Sequence, residues 1–330
     1  MTDATVSEPG HRLKPLSPAM LRELSARSNP RGTVQSLGHY GMIVLVGALI
    51  WMVSSRHGVL WALPLMAVQG YLVAFLFMAV HETAHKTAFK SRGLNLAVGY
   101  LSAFIIGLPY EYYCLFHWDH HRYTQDPEKD PELIVGVKPA SDTQLAIAYS
   151  GLLQVGGRLR LMLGHAITGK VVVPWIPENR RGIIVTEARA YAALYALLLV
   201  LSLWFSSALL LWVWIVPLII GQFFLRPYLY AEHTGCARTR SAFQNTRTTY
   251  TGAVVKWVAW NMPYHVEHHA YPSIPFHALP KLNGIVDDEI VHRGRGYIRT
   301  TRETWAWFRR QRRAASQMQN SGRGATGASS

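Results

Sequence analysis

The sequence predicts an all-α membrane protein with about four transmembrane helices, arranged as two hairpins with a cytoplasmic helical cap. Its composition points to this class, because half of the 330 residues are hydrophobic and only 16% are charged. The apolar residues also gather in continuous blocks instead of recurring at the spacing of an amphipathic helix. Four blocks approach the ~20 residues that cross a bilayer, and short joints connect them in pairs.

Each predicted hairpin consists of two apolar runs with a short joint between them. The first hairpin is formed by residues 40–53 and 59–80, and the second by residues 190–203 and 208–225. Joints this short leave no room for a domain, so the two helices of each pair are expected to lie side by side.

The long segment between the hairpins contains one further apolar stretch, residues 94–109. Gly99 and Gly107 interrupt it, and it is shorter than a full span. The sequence leaves three interpretations open, namely a short span, a re-entrant segment and an interfacial helix.

The distribution of basic residues predicts which side of the membrane each segment occupies. The two joints hold only Arg56, whereas residues 1–35, residues 81–188 and the chain after Arg226 carry nearly all other Lys and Arg. By the positive-inside rule these three regions, and with them both termini, are cytoplasmic, with a bacterial inner membrane as the expected location. The net charge of +14 is therefore assigned to topology and lipid headgroups and not to nucleic acid.

Four regions are expected along the chain. Residues 1–35 are a cytoplasmic, partly disordered leader, and residues 36–300 form the membrane domain. Residues 301–313 are aromatic and then basic, as in an interfacial helix. Residues 314–330 are rich in Ser, Gly, Ala and Gln and are expected to be disordered.

Three histidine clusters follow the ends of predicted spans or lie in the segments between them. They are His81 and His85; His117, His120 and His121; and His265, His268 and His269. Within a helix the spacings i, i+3 and i+4 place the imidazoles of a cluster on one face, as a metal ion requires. Eight imidazoles exceed the six that one octahedral ion accepts, so two metals are predicted. His233, just beyond the last span, is a ninth candidate ligand.

Several neighbouring residues are candidates for supporting roles. The carboxylates expected to accept hydrogen bonds from ligand N–H groups are Glu82, Asp119, Asp126, Asp130 and Glu267. The candidates for the wall of a substrate tunnel are Trp257, Trp260, Asn261 and Tyr264, although aromatic residues beside a span are also typical interface anchors. Cys114 and Cys236 lack the spacing of a metal or disulfide motif.

An all-nitrogen ligand set favours redox-active iron and oxygen activation, because zinc prefers four ligands and would leave half of these histidines unused. An oxidant placed at the end of an apolar helix bundle suits attack on an unactivated C–H bond of a lipid-like substrate. Such a bond offers nothing for acid–base catalysis, so the metal supplies the driving force and the protein positions the carbon.

The motifs HETAH (residues 81–85), HWDHH (117–121) and HVEHH (265–269) resemble the three histidine boxes of the integral-membrane fatty acid desaturase and hydroxylase superfamily. The resemblance covers roughly residues 38–290, and Asn261, Tyr264 and Pro272 resemble bacterial members. It implies a non-haem di-iron centre with the eight histidines as ligands, and O2 and two electrons per turnover. His233 matches an additional ligand of the family, whereas Leu229 is apolar where some animal members carry a polar residue that holds a water.

The resemblance does not decide the reaction or the substrate. We favour a desaturase of a fatty acyl or other lipid-like chain. The alternatives are a hydroxylase or ketolase of a hydrocarbon or carotenoid, and a desaturase of a secondary metabolite with an alkyl segment. The sequence contains no haem segment, ferredoxin-type cysteine set or Gly-rich dinucleotide loop, so the electrons are expected from a separate ferredoxin or rubredoxin with its reductase.

Two other classes fit the sequence less well. HETAH satisfies the H-E-x-x-H pattern of a zinc protease with Glu82 as general base, but this function leaves the six histidines of the other two clusters without a role. A metal transporter would place ionisable residues within its spans, whereas these spans are nearly free of charge.

Overall fold

The computed structural model describes residues 16–136 and 138–326, with side chains as far as Gln317. Its α-helices are α1 Pro18–Leu24, α2 Asn29–His57, α3 Leu63–Ala74, α4 Leu76–Ala84, α5 Arg92–Ile105, α6 Tyr110–Tyr123, α7 Pro131–Ile134, α8 Asp142–Ser150, α9 Leu152–Thr168, α10 Arg181–Trp204, α11 Val216–His233, α12 Ala242–Asn245, α13 Ala253–Val258, α14 His265–Ala270, α15 Leu279–Val286 and α16 Tyr297–Thr326. Short 3-10 turns occur at Val59–Ala62, Glu178–Arg180, Phe276–Ala278 and Asp287–Glu289, and a π-helical turn at Leu211–Ile215 leads into α11.

Four helical stretches of the described residues are long and apolar enough to cross a membrane. They are Pro18–His57, Val59–Ala84, Glu178–Trp204 and Leu211–His233. The predicted class, an all-α membrane protein with about four spans, is therefore confirmed.

The first span begins earlier than the hydrophobic run suggests. Ser28 caps α2 by accepting a hydrogen bond from the backbone N–H of Arg31, and Pro30 occupies the first turn, where its missing N–H costs nothing. Helix α1 and the start of α2 thus occupy residues 18–35 of the expected leader. Residues 1–15 of that leader lie outside the described part of the chain.

Helices α5 and α6 contain the apolar stretch 94–109. They bend by 101° relative to each other, at a break where Gly107 adopts a positive φ of 66° that favours glycine. The stretch is therefore not one straight crossing, and the bend carries the chain into the second histidine cluster on α6.

Helices α3 and α11 pack with their backbones in close contact. A Cβ atom added to Gly70 would lie 2.8 Å from the backbone nitrogen of Gly221, and one added to Gly221 would lie 2.7 Å from Cβ of Ala74. Small residues at such a crossing let two helices approach without a side-chain layer between them. This contact joins the first helical hairpin to the second.

A small parallel sheet departs from the all-helical expectation. Strand β1, Arg247–Tyr250, pairs with β2, His292–Arg295, with Arg247 opposite His292 and Tyr250 opposite Arg295. It lies outside the spans and packs against α11, α14 and α16.

The chain after residue 313 continues the helix α16 as far as Thr326, so it is helical where the sequence suggested a disordered tail. Residues 327–330 are not described. The start of the helix is held on α8, since Tyr149 and Thr304 share a hydrogen bond of 2.7 Å and Arg309 Nε lies 3.4 Å from Asp142 Oδ2. Residues 314–326 contain Ala, Gln, Met and Arg, which all favour helix once it has been nucleated.

Candidate metal centre

Four helices bring the nine predicted histidines together. Helix α4 carries His81 and is followed directly by His85, α6 carries the second cluster, α14 carries the third, and His233 is the last residue of α11. Because α4 and α11 are the ends of two spans, the imidazoles lie at one end of the helix bundle.

Five of the histidines form one group of converging ring nitrogens. Its members are His81, His85, His117, His121 and His268, with ligand atoms all within 4.8 Å of one another. The Nε2 atom of His117 lies 2.7 Å from that of His85 and 3.1 Å from that of His121. The Nε2 atom of His268 lies 3.2 Å from that of His121. Two metal–nitrogen bonds of ~2.1 Å at a right angle place their nitrogens ~3.0 Å apart, so these spacings suit a single ion.

The remaining four histidines form a second group. His120, His233 and His269 offer ligand atoms within 4.8 Å of one another. His265 joins them, because its Nε2 atom lies 3.2 Å from Nε2 of His233. The nine imidazoles therefore divide into five and four.

Hydrogen bonds at the second group indicate why a cation is needed. Nδ1 of His120 lies 2.9 Å from Oδ1 of Asp130, and Nδ1 of His233 lies 3.2 Å from the carbonyl oxygen of Asn245. A carbonyl oxygen only accepts, so in the neutral rings Nδ1 carries the hydrogen and Nε2 a lone pair. In the neutral rings the two Nε2 lone pairs face each other at 3.2 Å, and a cation between them, either a metal ion or a proton on His120, makes this arrangement favourable. The residues present thus fit a pair of metal ions.

Metal ligation requires neutral imidazoles, and burial favours the neutral form of these rings. At His120 the carboxylates of Glu132 and Asp130 outweigh burial and raise the pKa to about 9. Outside the spans, burial lowers the pKa of His85 to about 3, with a further contribution from His120. Burial and the neighbouring histidines hold the pKa of His265, His268 and His269 well below the ordinary value.

Of the five predicted supporting carboxylates, Asp130 is the one that contacts a ligand imidazole among the described residues. It also accepts hydrogen bonds of 2.9 Å from the backbone N–H groups of Gln125 and Glu132. Although burial opposes ionisation, His120 and these N–H groups lower the pKa of Asp130 below its ordinary value. A fixed carboxylate of this kind orients a ligand ring.

The two carboxylates within the first and third motifs point elsewhere. Glu82 accepts a hydrogen bond of 3.0 Å from the backbone N–H of Phe276, and Glu267 accepts bonds of 2.5 Å from Thr248 and Asn283. Burial raises the pKa of Glu267 to about 7. Both side chains connect the helices that carry ligands to neighbouring segments instead of contacting the ligand rings.

The other two carboxylates lie further out. Asp119 pairs with Arg122 at 3.2 Å, and Asp126 accepts a hydrogen bond of 3.0 Å from the backbone N–H of Glu128. The structure instead shows Glu232, whose Oε1 lies 3.5 Å from Nδ1 of His265. Sequence reasoning missed this residue, although it directly precedes His233.

The candidate tunnel residues have specific contacts of their own. Trp260 is buried and donates to His39 Nδ1 at 3.3 Å, and Asn261 donates to the carbonyl of Phe276 at 3.1 Å. Trp257 is 38% exposed, and Tyr264 lies beneath the ammonium of Lys256. Two apolar cavities, one among α9, α10 and α11 and one among α2, α3, α5 and the π-helical turn, are lined by other residues, so a tunnel wall at these positions stays a prediction.

Comparison with known proteins agrees with this arrangement. The sequence model of the fatty acid desaturase family matches residues 58–301, which include all nine histidines. The chain belongs to the fatty acid desaturase family. It is therefore an oxidoreductase of a membrane-embedded type.

Individual desaturases are similar to this chain at low sequence identity. The chain is 25% identical to the sphingolipid delta(4)-desaturase/C4-monooxygenase DES2 of Rattus norvegicus, over 76% of this chain and 74% of that protein. It is 25% identical to the dihydrorhizobitoxine desaturase of Bradyrhizobium elkanii, over 68% of each chain. It is also 23% identical to the endoplasmic reticulum omega-3 fatty acid desaturase of Vigna radiata var. radiata, over 76% and 71%.

Proposed function

We propose that this desaturase-family protein is an O2-dependent di-iron oxidase that introduces a C=C bond into a fatty acyl or other lipid-like chain. The observation that carries the proposal is the division of nine buried or half-buried imidazoles into groups of five and four at one end of an apolar helix bundle. Iron accepts five or six nitrogen ligands, whereas zinc prefers four.

A bound iron pair would activate O2 for the oxidation of an unactivated C–H bond. The proposed reaction removes two hydrogen atoms from adjacent carbons and reduces one O2 to two waters, with two electrons and two protons from a donor. Asp130 and the carbonyl of Asn245 fix the ring tautomers of His120 and His233. Burial of the ligand rings excludes water from the site.

Hydroxylation is the second candidate reaction. It shares the first hydrogen abstraction with desaturation, and the rat relative carries both a desaturase and a C4-monooxygenase activity in its name. The names of the relatives refer to a sphingolipid, an omega-3 fatty acid and dihydrorhizobitoxine. A hydrocarbon, a carotenoid or an alkyl-bearing secondary metabolite therefore remains within the proposed substrate range.

The proposed electron donor is a separate ferredoxin or rubredoxin with its reductase, acting on the cytoplasmic side of a bacterial inner membrane. Support comes from Trp118, which is 44% exposed and places its ring 4.9 Å from that of His85. Exposed basic side chains lie beside both rings in the sequence, since Lys86 directly follows His85 and Arg122 is four residues after Trp118. An acidic carrier would complement this surface.

The metal content of the purified protein tests the proposal. We expect about two irons per chain, at least one of which is lost in His268→Ala, because His268 belongs to the five-histidine group. His57→Ala is the matched control, since this histidine is exposed at the end of α2. One zinc per chain, unaffected by His268→Ala, would contradict a di-iron oxidase.

Incubation with O2, a reductant and a perdeuterated acyl chain then distinguishes the two reactions. Loss of two deuterons indicates desaturation, whereas loss of one with gain of a hydroxyl oxygen indicates hydroxylation.

A further inference from the structure

An apolar groove of about 860 Å³ lies among α9, α10 and the start of α11. Its walls include Leu159 and Met162 of α9, Leu198 and Leu199 of α10, and Leu218 of α11. The volume is within the range of small-molecule binding pockets. None of the nine histidines lines it, so this is a place apart from the metal centre.

The groove is about as long as one acyl chain. Along α10 it extends from Tyr195 to Leu203, roughly 12 Å at ~1.5 Å per helical residue, and it continues into the joint at Ser206 and Ser207. One leaflet of a bilayer contributes about half of the ~30 Å hydrocarbon core. The side chains of Leu199 and Leu203 are more than half exposed on this face, as expected where a helix meets lipid.

Arg158 is the one charged residue in the described lining of the groove. Its Nη2 donates to Oε1 of Gln222 at 3.3 Å, and its Nε is buried without a hydrogen-bond partner. Arg226, one helical turn beyond Gln222, also has a buried Nε without a partner. Its guanidinium lies over the ring of Tyr230, at 5.9 Å.

These guanidinium groups lack a close counter-ion. Neither forms an ion pair with a carboxylate of the residues that the structure describes; Glu132 and Glu232 act on Arg226 only at longer range. A half-buried guanidinium with an unsatisfied N–H is unfavourable beside an apolar wall, and it offers a planar donor set to a carboxylate or phosphate. An anion at Arg158 would remove this cost.

We propose that the groove binds a single-chain amphiphile with an anionic head, with the head on Arg158 and the alkyl chain between α10 and α11. Arg226 adds positive charge at the same end. This inference requires no bound metal, so it stands apart from the proposed oxidase activity. A groove that merely faces lipid would instead accept any alkyl chain without regard to charge.

Tryptophan fluorescence of the full chain in detergent tests the proposal, because the indole of Trp214 lines the groove. Dibrominated stearic acid serves as the quenching probe and dibrominated stearyl alcohol as its neutral counterpart. We expect the acid to bind at least about tenfold more tightly, since hydrogen bonds to charged groups carry this much energy. Trp214→Phe should remove most of the quenching and so locate the probe.

Two arginine variants supply the matched comparison. Arg158→Gln should abolish the preference for the acid, whereas Arg160→Gln, at an exposed position two residues along α9, should retain it. If Arg158→Gln does not fold, Arg158→Lys takes its place. The Lys variant preserves the positive charge and should keep part of the preference for the acid. Equal binding of acid and alcohol to the wild type, or equal behaviour of the two Gln variants, would overturn the proposal.

Competition identifies the source of the anion. Displacement of the probe by lysophosphatidylglycerol but not by lysophosphatidylcholine indicates a lipid headgroup, and displacement by unbrominated fatty acid alone indicates a free carboxylate. Either result supports an anionic amphiphile. Because binding needs no iron, these measurements keep their meaning even if the metal analysis contradicts the oxidase.

Discussion

Asp130 Oδ1 lies 2.9 Å from Nδ1 of His120, and the opposite nitrogen of that ring faces Nε2 of His233 at 3.2 Å. The carboxylate therefore decides which nitrogen of His120 presents a lone pair to the four-histidine group. With a metal bound, it would orient this ring without being a ligand itself.

Asp130→Asn should consequently weaken metal binding at the four-histidine group and leave the five-histidine group occupied. Loss of a carboxylate partner of a ligating histidine typically lowers metal affinity by about 10–100-fold. We expect iron to fall from about two to about one per chain after dialysis against a weak chelator. Asp126→Asn is the control, because Asp126 contacts the backbone of its own loop. Retention of both irons by Asp130→Asn would show that this contact does not support the metal.

Spacing within each motif was enough to predict which histidines come together, because residues three and four apart share a helix face. It could not predict how the imidazoles divide. His268 of α14 joins the rings of α4 and α6, whereas its neighbours His265 and His269 turn towards His120 and His233. That division depends on how α6, α11 and α14 pack, which no local pattern contains.

The carboxylates illustrate the same limit. Glu82 and Glu267 are next to candidate ligands in the sequence, yet neither contacts a ligand ring. Glu82 accepts a hydrogen bond from the backbone of Phe276, which is distant in sequence, and Glu267 accepts one from Asn283 of α15. Asp130 lies ten residues from His120 and reaches it because the chain turns after α6. Adjacency in sequence predicted contact poorly here, since consecutive helical residues point ~100° apart.

The exposed indole of Trp118 leads to a prediction about electron supply. Its ring lies edge-on against His85, so a carrier docked on this indole would be next to the five-histidine group. Trp118→Ala should raise the KM for a reduced acidic ferredoxin by about tenfold, as loss of an interface tryptophan does. Trp204→Ala, 80% exposed at the joint of the second hairpin, is the control.

Salt and a chemical reductant separate docking from damage to the site. Ferredoxin-driven turnover should fall as ionic strength rises, while turnover driven by dithionite should be equal in wild type and Trp118→Ala. If both reductants are affected alike, Trp118 supports the site instead of the docking of a carrier.

His277 should contribute a pH-dependent part of the stability. Its Nδ1 lies 3.0 Å from Nη1 of Arg31, and burial together with this cation lowers the pKa of His277 to about 4. The folded protein thus binds fewer protons than the unfolded chain between pH 4 and 6.5. The contribution of His277 to the free energy of unfolding is therefore fully present above pH 6.5 and is lost as the pH falls through this window.

His277→Gln should remove that loss. The ring is only half-buried and partly screened by solvent. We therefore expect the difference in the free energy of unfolding between wild type and variant to change by about 1–2 kcal/mol from pH 7 to pH 4.5. Thermal unfolding in detergent at the two pH values measures it, with His57→Gln as an exposed control. A difference that does not vary with pH would contradict the assignment.

The contact of Gly70 with Gly221 should set the distance between the two histidine groups. Helix α3 leads into α4, which carries His81, and α11 ends at His233. A methyl group at Gly221 would collide with the carbonyl of Gly70 and with Ala74, where rigid backbone leaves little room to yield. Gly221→Ala should therefore push the helices apart, at a cost of about 1–3 kcal/mol from overpacking.

The matched control is Gly41→Ala, because a Cβ atom on Gly41 of α2 meets no atom within 4 Å. Alanine has a higher helix propensity than glycine, so the stability of this variant should be equal to that of the wild type or higher. The iron content per chain and the thermal midpoint should both fall in Gly221→Ala. Neither should fall in Gly41→Ala. If Gly221→Ala is less stable yet binds iron normally, the imidazoles are held by their local segments; a joint loss would mean that the spacing of the spans builds the metal centre.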